Sequence, residues 1–124
     1  VEDPSALDQL TPEERRLISE LNPEFAMLII HRGPHRGERF LLDSAETAIG
    51  RSSENEIVLD DVTVSRKHAH IRKAGERFEL IDLGSLNGTY VNNNSIARST
   101  LTNGDEIQFG KFHMLFVQNP GVNK

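Results

Sequence analysis

The stretch His68–Val91, "HAHIRKAGERFELIDLGSLNGTYV", decides the fold class. Its first half holds two runs of alternating apolar and polar residues, His68–Lys73 and Arg77–Asp82, joined by the short turn Ala74-Gly75. Alternation with a period of two is typical of strands that bury one face, and a short connection containing glycine favours a hairpin. Asn87-Gly88 then marks a further turn before another β-branched run. The stretch therefore predicts β-structure with tight connections.

The same pattern of short strands and turns continues on both sides of this stretch. Short apolar or alternating runs are separated at close intervals by turn residues, and no helical period intervenes. Beyond the two runs already named, the predicted strands are Phe25–Arg32, Glu38–Leu42, Glu46–Gly50, Glu56–Leu59, Thr89–Val91, Ser95–Ala97, Glu106–Phe109 and Phe112–Val117. Many short strands of this kind favour an all-β sandwich, in which the aliphatic and aromatic strand residues form the core.

The first 24 residues differ from the rest. Thr11 can cap a helix, Pro12 suits its first turn, and Glu14 completes a capping box. We predict a helix of about eleven residues that ends at Asn22-Pro23, which is marginal in isolation and is therefore either frayed or docked. The predicted organisation is an acidic leader over 1–24, one domain over 25–118 and a fraying tail over 119–124.

Composition limits the class of protein. The chain has 124 residues and no cysteine, so it fits one domain without disulfides or thiolate metal sites. The longest apolar run, Phe25–Ile30, is far shorter than the roughly 20 residues that span a bilayer, and no export signal is evident. We predict a soluble, cytoplasmic, monomeric protein with no membrane partner.

Charge is unevenly distributed along the chain. The first 25 residues carry seven acidic and two basic residues, whereas residues 26–118 carry twelve acidic and eleven basic ones. A general nucleic-acid binder needs a broad basic face, because its affinity comes from neutralising many phosphates. The sequence therefore excludes a nucleic-acid partner, and any cationic site must be small and local.

Ser65 and His68 raise the question of catalysis. A serine nucleophile needs a base in contact and a carboxylate that orients this base, and residues three apart on a strand face opposite sides. The chain also lacks the Gly-x-Ser-x-Gly turn of serine hydrolases. We therefore expect that the protein is not an enzyme.

A metal site is the second alternative at this position. His68 and His70 would share a face of one strand, and Asp60 or Asp61 lies nearby in the sequence. A third ligand is not evident from the spacing. We therefore expect neither a metal nor any other cofactor.

The third alternative combines three separate strand-to-loop junctions. Arg51, Ser65, Arg66 and Asn87 follow or precede predicted strands, and sandwich loops gather at the ends of the sheets. Guanidinium groups, a hydroxyl and a side-chain amide together can bind the oxygens of one phosphate group. Each residue alone also has an ordinary structural explanation: Arg66 can pair with a nearby aspartate, and Asn87-Gly88 is a common hairpin dipeptide.

The ordered set of motifs carries a resemblance. Gly50-Arg51, Ser65-x-x-His68 and Asn87-Gly88-Thr89 resemble the signature elements of the forkhead-associated (FHA) domain, a phosphothreonine-binding sandwich of about 11 strands, over residues 26–118. Further stretches, such as "LDDVTVSRKHA" and "NGDEIQFGKF", are similar to the small actinobacterial FHA regulators of central metabolism, the glycogen accumulation regulator and 2-oxoglutarate dehydrogenase inhibitor type.

The resemblance implies roles for individual residues. Arg51 and Ser65 would contact the phosphate, Asn87 would hold the ligand backbone, and Arg66 would make a second phosphate contact. Gly50 and His68 would be architectural. Further loop-supporting positions are Ser85, Leu86, Gly88 and Thr89, of which Ser85 and Leu86 would shape selectivity after the phosphothreonine.

The implied partners are a Ser/Thr protein kinase and a metabolic enzyme such as the 2-oxoglutarate dehydrogenase complex or glutamate dehydrogenase. An alternative is a module that inhibits or activates such an enzyme through its folded surface without phosphorylation. The paired-threonine segment that precedes the domain in these regulators, and that binds their own site when phosphorylated, does not occur within these 124 residues, which start at Val1. The leader offers only Thr11, so self-inhibition is a hypothesis.

Overall fold

The computed structural model describes residue 7 and residues 10–119, and within them one helix and eleven strands. The elements are α1 Pro12–Ser19, β1 Ala26–Arg32, β2 Arg39–Leu42, β3 Glu46–Gly50, β4 Ile57–Val58, β5 Ala69–Ala74, β6 Arg77–Asp82, β7 Thr89–Val91, β8 Asn94–Ile96, β9 Arg98–Thr100, β10 Glu106–Phe109 and β11 Phe112–Val117. The predicted tail beyond residue 119 lies outside the described residues.

The strands form two sheets that pack face to face. The six-stranded sheet has the order β2-β1-β11-β10-β7-β8, and the five-stranded sheet has the order β4-β3-β5-β6-β9. The predicted β-sandwich is therefore confirmed. Four phenylalanines, Phe78, Phe109, Phe112 and Phe116, are almost fully buried in the main hydrophobic cluster. Phe40, which was also expected in the core, is only half-buried against this cluster.

One strand was missed by the sequence analysis, and one was displaced. The prediction of Ser95–Ala97 corresponds to β8, Asn94–Ile96, and β9 follows after a single residue. The chain changes sheets at this point: β8 pairs with β7, whereas β9 pairs with β6 of the other sheet. Because Arg98–Thr100 is short and polar, its strand is stabilised by pairing with β6 and has no hydrophobic pattern of its own.

His68 lies one residue before β5, not within it, contrary to the predicted strand His68–Lys73. Its backbone N–H donates to the carbonyl of Ile49 at 3.0 Å, and its carbonyl accepts from Leu83 N–H at 3.0 Å. The residue therefore continues the sheet pairing at the point where the loop before β5 begins. At this position the His68 ring faces the loops.

The predicted leader helix is present, shorter than expected, and docked. The capping box forms as predicted, since Thr11 Oγ1 accepts from Glu14 N–H and the Glu14 carboxylate accepts from Thr11 N–H. Ile18 packs with Ile29, Leu115 and Val117 on the outer face of the six-stranded sheet. Burial of this apolar stripe explains why so short a helix forms at all. No helix among the described residues is long and apolar enough to cross a membrane.

Candidate functional site

Three loops meet at one end of the sandwich: residues 51–56 after β3, residues 59–68 between β4 and β5, and residues 83–88 between β6 and β7. The backbone N–H of Arg51 donates to the carbonyl of Ser65 at 2.9 Å, which joins the first two loops. Leu86 N–H donates to Ser65 Oγ, also at 2.9 Å, which joins the second and third. We call this region the loop end.

Ser65 lies at the centre of the loop end and is half-buried. Its hydroxyl accepts from Leu86 N–H, which leaves the hydroxyl proton available to a ligand. The His68 ring contacts the backbone of Ser65 rather than its hydroxyl, because Nδ1 accepts from Ser65 N–H at 3.1 Å. The arrangement of a serine nucleophile with its histidine base is therefore not formed.

The two arginines of the loop end are exposed and differ in how they are held. Arg51 Nε donates to the carbonyl of Val64 at 3.0 Å, which fixes the guanidinium and leaves its terminal nitrogens without a partner among the described residues. Arg66 makes no ion pair with any described carboxylate, including the aspartates that the sequence offered as partners. Both cations are thus available to an anion from solution.

Asn87 does not form the hairpin turn that its sequence also allowed. A type I′ turn needs positive φ at both central residues, and only Gly88 has it, at +84°. The strands on either side also belong to different sheets. The Asn87 amide instead donates to the carbonyl of Thr63 at 2.9 Å, with its exposed side chain at the mouth of the loop end.

His68 supports the loop end from the interior of the fold. It is fully buried, and its ring meets Phe109 edge-on with 5.6 Å between centroids. Since Ser65 N–H must be a donor to Nδ1, the ring proton is on Nε2 and is donated to the carbonyl of Gly88 at 2.9 Å. The His68 ring therefore connects two of the loops.

Gly50 permits close packing of two loops. A Cβ at this position would overlap with the carbonyl of Arg66. The same carbonyl accepts from the side-chain amide of Asn55 at 2.9 Å. Any larger residue at position 50 would push the loop that carries Ser65 and Arg66 out of place.

Asp82 organises the loop between β6 and β7, a role that was not predicted from the sequence. Its carboxylate accepts from the hydroxyls of Ser85 at 2.6 Å and of Thr89 at 2.7 Å, as well as from Gly84 N–H. Burial favours a higher pKa, but these hydrogen bonds outweigh it, and the pKa of Asp82 lies below its usual value. The signal in the sequence is an aspartate two residues before a glycine, which favours an Asx turn.

The metal alternative is not supported. Both ring nitrogens of His68 are used in hydrogen bonds, so it has no lone pair for a metal. His70 is half-buried, and its Nδ1 lies 4.0 Å from the Glu46 carboxylate. Over residue 7 and residues 10–119, no group of three or more His, Asp or Glu residues is arranged to hold a metal ion.

The chain belongs to the FHA domain family, since the model of that family, described as the FHA domain, matches residues 47–110. It is 55% identical over 92 residues to the oxoglutarate dehydrogenase inhibitor of Corynebacterium jeikeium, which covers 74% of this chain and 64% of that protein. It is 50% identical over 103 residues to the glycogen accumulation regulator GarA of Mycobacterium tuberculosis, which covers 83% of this chain and 64% of GarA. The chain thus spans just under two-thirds of the length of each relative.

Similarity extends to solved structures. An FHA domain from a study of phosphothreonine-dependent FHA domain interactions superposes with a TM-score of 0.72 at 32% identity. The superposition covers 77% of this chain and 98% of that one. The resemblance inferred from the three motifs is therefore confirmed at the level of family and fold.

Proposed function

We propose that the loop end binds a phosphothreonine-containing segment of another protein. In this proposal Arg51, Ser65 and Arg66 contact the phosphate, and Asn87 holds the ligand backbone beside it. The observation that carries the proposal is that one loop end holds two arginines without ion pairs among the described residues and a serine hydroxyl that still has a proton to donate. The similar FHA structure comes from work on phosphothreonine-dependent interactions.

The energetics suit a reversible signalling contact. Phosphothreonine carries a charge between −1 and −2 and three strong acceptors, and each hydrogen bond to a charged group contributes about 1.5–3 kcal/mol. Two or three such bonds, less the cost of ordering the ligand, correspond to a Kd of micromolar order. The loops are already joined by hydrogen bonds to Ser65 and His68, so little further ordering of the protein is needed.

The test is calorimetric titration with one peptide in three forms: phosphothreonine, phosphoserine and unmodified. We expect the phosphothreonine form to bind, and Arg51→Ala to weaken it roughly 10- to 100-fold, because one or more charged hydrogen bonds are lost. Arg77→Ala is the matched control, since this exposed arginine is at the opposite end of β6. Equal binding of the unmodified peptide, or full affinity in Arg51→Ala, would contradict the proposal.

The names of the relatives support a class of partner. We propose that the protein acts in the cytoplasm, as a monomer and without catalysis, downstream of a Ser/Thr protein kinase. Its targets would be metabolic enzymes such as the 2-oxoglutarate dehydrogenase complex or glutamate dehydrogenase. The C. jeikeium relative is named as an inhibitor of oxoglutarate dehydrogenase, which supports this class of partner.

A second candidate function is contact with such an enzyme through the folded surface without phosphorylation. Val62 and Leu86 favour it, because both are 89% exposed on loops at the loop end. Exposed apolar side chains close to a binding site are typical of a protein interface. A complex that forms with unphosphorylated enzyme and survives Arg51→Ala would favour this function over the first.

Ser85 and Leu86 are proposed to set selectivity for ligand residues after the phosphothreonine. Leu86 projects into solvent, whereas the Ser85 hydroxyl is bonded to Asp82. Leu86 is therefore the residue free to contact a ligand directly. Unchanged peptide preference after exchange of both residues would rule the proposal out.

Self-inhibition through the leader is a separate proposal. The hydroxyl of Thr11 is occupied in the capping box of α1, which docks on the outer face of the six-stranded sheet. A phosphorylated Thr11 would have to leave this cap in order to reach the loop end. If phosphorylation of the leader leaves binding of an external phosphopeptide unchanged, self-inhibition by these residues is excluded.

A further inference from the structure

A shallow groove of about 290 Å³ adjoins the loop end on the side of Asn87. It is lined by Thr63, Asn87, Tyr90, Gln108, Gly110 and Lys111. Asn87 and Thr63 also belong to the loop end, where the amide of the first donates to the carbonyl of the second. An extended ligand held beside Asn87 therefore passes this groove or ends in it. We call it the Lys111 groove.

The floor of the Lys111 groove is fixed by contacts between distant parts of the chain. Lys111 N–H donates to Thr63 Oγ1 at 3.0 Å. Gly110 packs so closely against Thr63 that a Cβ at position 110 would overlap with its side chain. The amide of Gln108 donates to the carbonyl of Gly110 at 3.1 Å. The turn between β10 and β11 is thereby attached to the same loop that carries Ser65.

The groove presents cationic and donor groups. Lys111 is exposed, and its ammonium makes no ion pair within residues 10–119. The half-buried Tyr90 also lines the groove, and the ring of this residue lies next to Gly88. An ammonium beside a phenol and a side-chain amide binds carboxylates and phosphates in preference to neutral groups.

Asp61 is the carboxylate that competes for Lys111. It already accepts hydrogen bonds from the backbone and the hydroxyl of Thr63, at 2.9 and 2.7 Å. These bonds, with a smaller contribution from the charge of Lys111, hold the pKa of Asp61 below its usual value. Asp61 and Lys111 attract each other through solvent without a direct ion pair, so a ligand anion can displace this attraction.

We infer that the Lys111 groove is a second anion subsite, in which Lys111 selects ligands that carry an acidic group on the Asn87 side of the phosphothreonine. The inference rests on the proposed function and specifies its ligand. A carboxylate of aspartate or glutamate and a second phosphate share the required chemistry. Lys111 is therefore a specificity-determining residue, separate from the arginines that contact the first phosphate.

The experiment uses a phosphothreonine peptide with neutral flanks and a series in which one glutamate occupies each flanking position in turn. Calorimetry on the wild-type chain should find one position where glutamate strengthens binding about two- to fivefold, the range expected for a solvent-exposed charge pair. Lys111→Gln should abolish this gain, Lys111→Arg should keep it, and 0.5 M salt should reduce it. Lys67→Gln, which removes an exposed cation on the Ser65 side, should leave it intact.

Two further measurements identify the preferred anion and test the role of Asp61. Phosphoserine in place of the favoured glutamate distinguishes the two ligand sources, and a larger gain identifies a second phosphate as the preferred anion. Asp61→Asn removes the competing charge while it keeps an acceptor for Thr63, so the gain from glutamate should increase. An unchanged thermal unfolding curve of Lys111→Gln is expected, because the bond to Thr63 comes from the backbone of Lys111.

The outcomes separate the subsite from the proposed function. If the neutral-flank phosphopeptide binds but no glutamate position strengthens binding, or if the gain persists in Lys111→Gln, the subsite is wrong and phosphothreonine binding stands. If the neutral-flank phosphopeptide and its glutamate series all bind no better than their unphosphorylated forms, the proposed function fails, and the subsite fails with it.

Discussion

The loop end and the outer face of the six-stranded sheet use charge in opposite ways. At the loop end, hydrogen bonds from Ser65, His68 and Asn87 join the loops, while the cations Arg51 and Arg66 are left without ion pairs among the described residues. Neutral groups and the Asp82 carboxylate thus hold the loops in place, and the two guanidinium groups are left for an anionic ligand to neutralise.

On the outer face, the charged groups satisfy one another. The Glu106 carboxylate accepts from Arg32 at 2.9 Å and lies 2.8 Å from His31 Nε2, with His113 Nδ1 at 3.6 Å. Next to this cluster, α1 covers the apolar part of the face. The difference indicates that substitutions of the loop-end cations change binding, whereas substitutions on the outer face change stability.

His68→Ala should cause the largest loss of stability, because it removes the hydrogen bonds by which His68 joins two of the three loops. The part-buried Ser65 N–H and Gly88 carbonyl would lose their partner, and a cavity would form beside Phe109. We expect the free energy of unfolding to fall by about 3 kcal/mol in urea denaturation. His70→Ala, two residues further along the chain at a partly exposed position in β5, is the control and should cost much less. Equal losses in the two variants would contradict the supporting role of His68.

Ile18→Ala tests the outer face. The side chain is 6% exposed and attaches α1 to Ile29 and Leu115. We expect a loss of about 2 kcal/mol in the free energy of unfolding, at the low end for a buried aliphatic residue because the helix is at the edge of the fold. Phosphopeptide affinity, measured by calorimetry, should not change. Weakened binding in this variant would mean that the two regions are coupled, against the comparison.

Asn87→Ala should weaken binding and leave stability almost unchanged, the opposite of what we expect for Ile18→Ala. The substitution removes the amide that donates to Thr63 and that is proposed to hold the ligand backbone. We expect phosphopeptide affinity to fall about tenfold, equivalent to one hydrogen bond left unmade in the complex. Thermal unfolding should shift only slightly, since the side chain is exposed. Asn94→Ala is the matched control and should bind normally, since its exposed amide also donates to a backbone carbonyl, that of Asn92 at 3.3 Å, outside the three loops.

Much of the sandwich was predictable because each strand carries a local signal. Runs such as Glu46–Gly50 and Phe112–Val117 are apolar or alternating and are bounded by turn residues, and they match β3 and β11 without change. The four predicted phosphate-site residues are brought to one end, as three ordered motifs indicated. That they contact a ligand stays a prediction until peptide binding is measured.

The remaining features depend on contacts that no local pattern encodes. Strand β9 exists through its pairing with β6, and the attachment of Lys111 to Thr63 joins residues 48 positions apart. The docking of α1 was left open by the sequence, although β1 offered a clue. Leu28, Ile29 and Ile30 are consecutive and all buried, and a continuous apolar run indicates a strand covered on both faces.

Glu106→Gln should have the smallest effect on stability, and this effect should be visible chiefly as a change in the pH dependence of stability. Burial favours a higher pKa for Glu106, but the hydrogen bonds and charges of Arg32 and His31 outweigh it and lower the pKa. The stabilisation is therefore complete above the ordinary glutamate pKa of about 4.3, and it is lost as the pH falls through the lower pKa of the folded state. The variant should lose about 1 kcal/mol or less at neutral pH.

The measurement is the melting temperature of the wild-type chain, Glu106→Gln and Arg32→Gln between pH 3 and pH 6. The wild-type curve should fall more steeply below about pH 4.5 than that of Glu106→Gln, because only the wild type has this carboxylate to protonate. Arg32→Gln should give an intermediate slope, since His31 still contacts Glu106. Parallel curves for all three chains would show that the cluster does not stabilise the folded state. The ion pairs of the outer face would then add nothing to the stability of the fold, and the contrast with the loop end would rest on α1 alone.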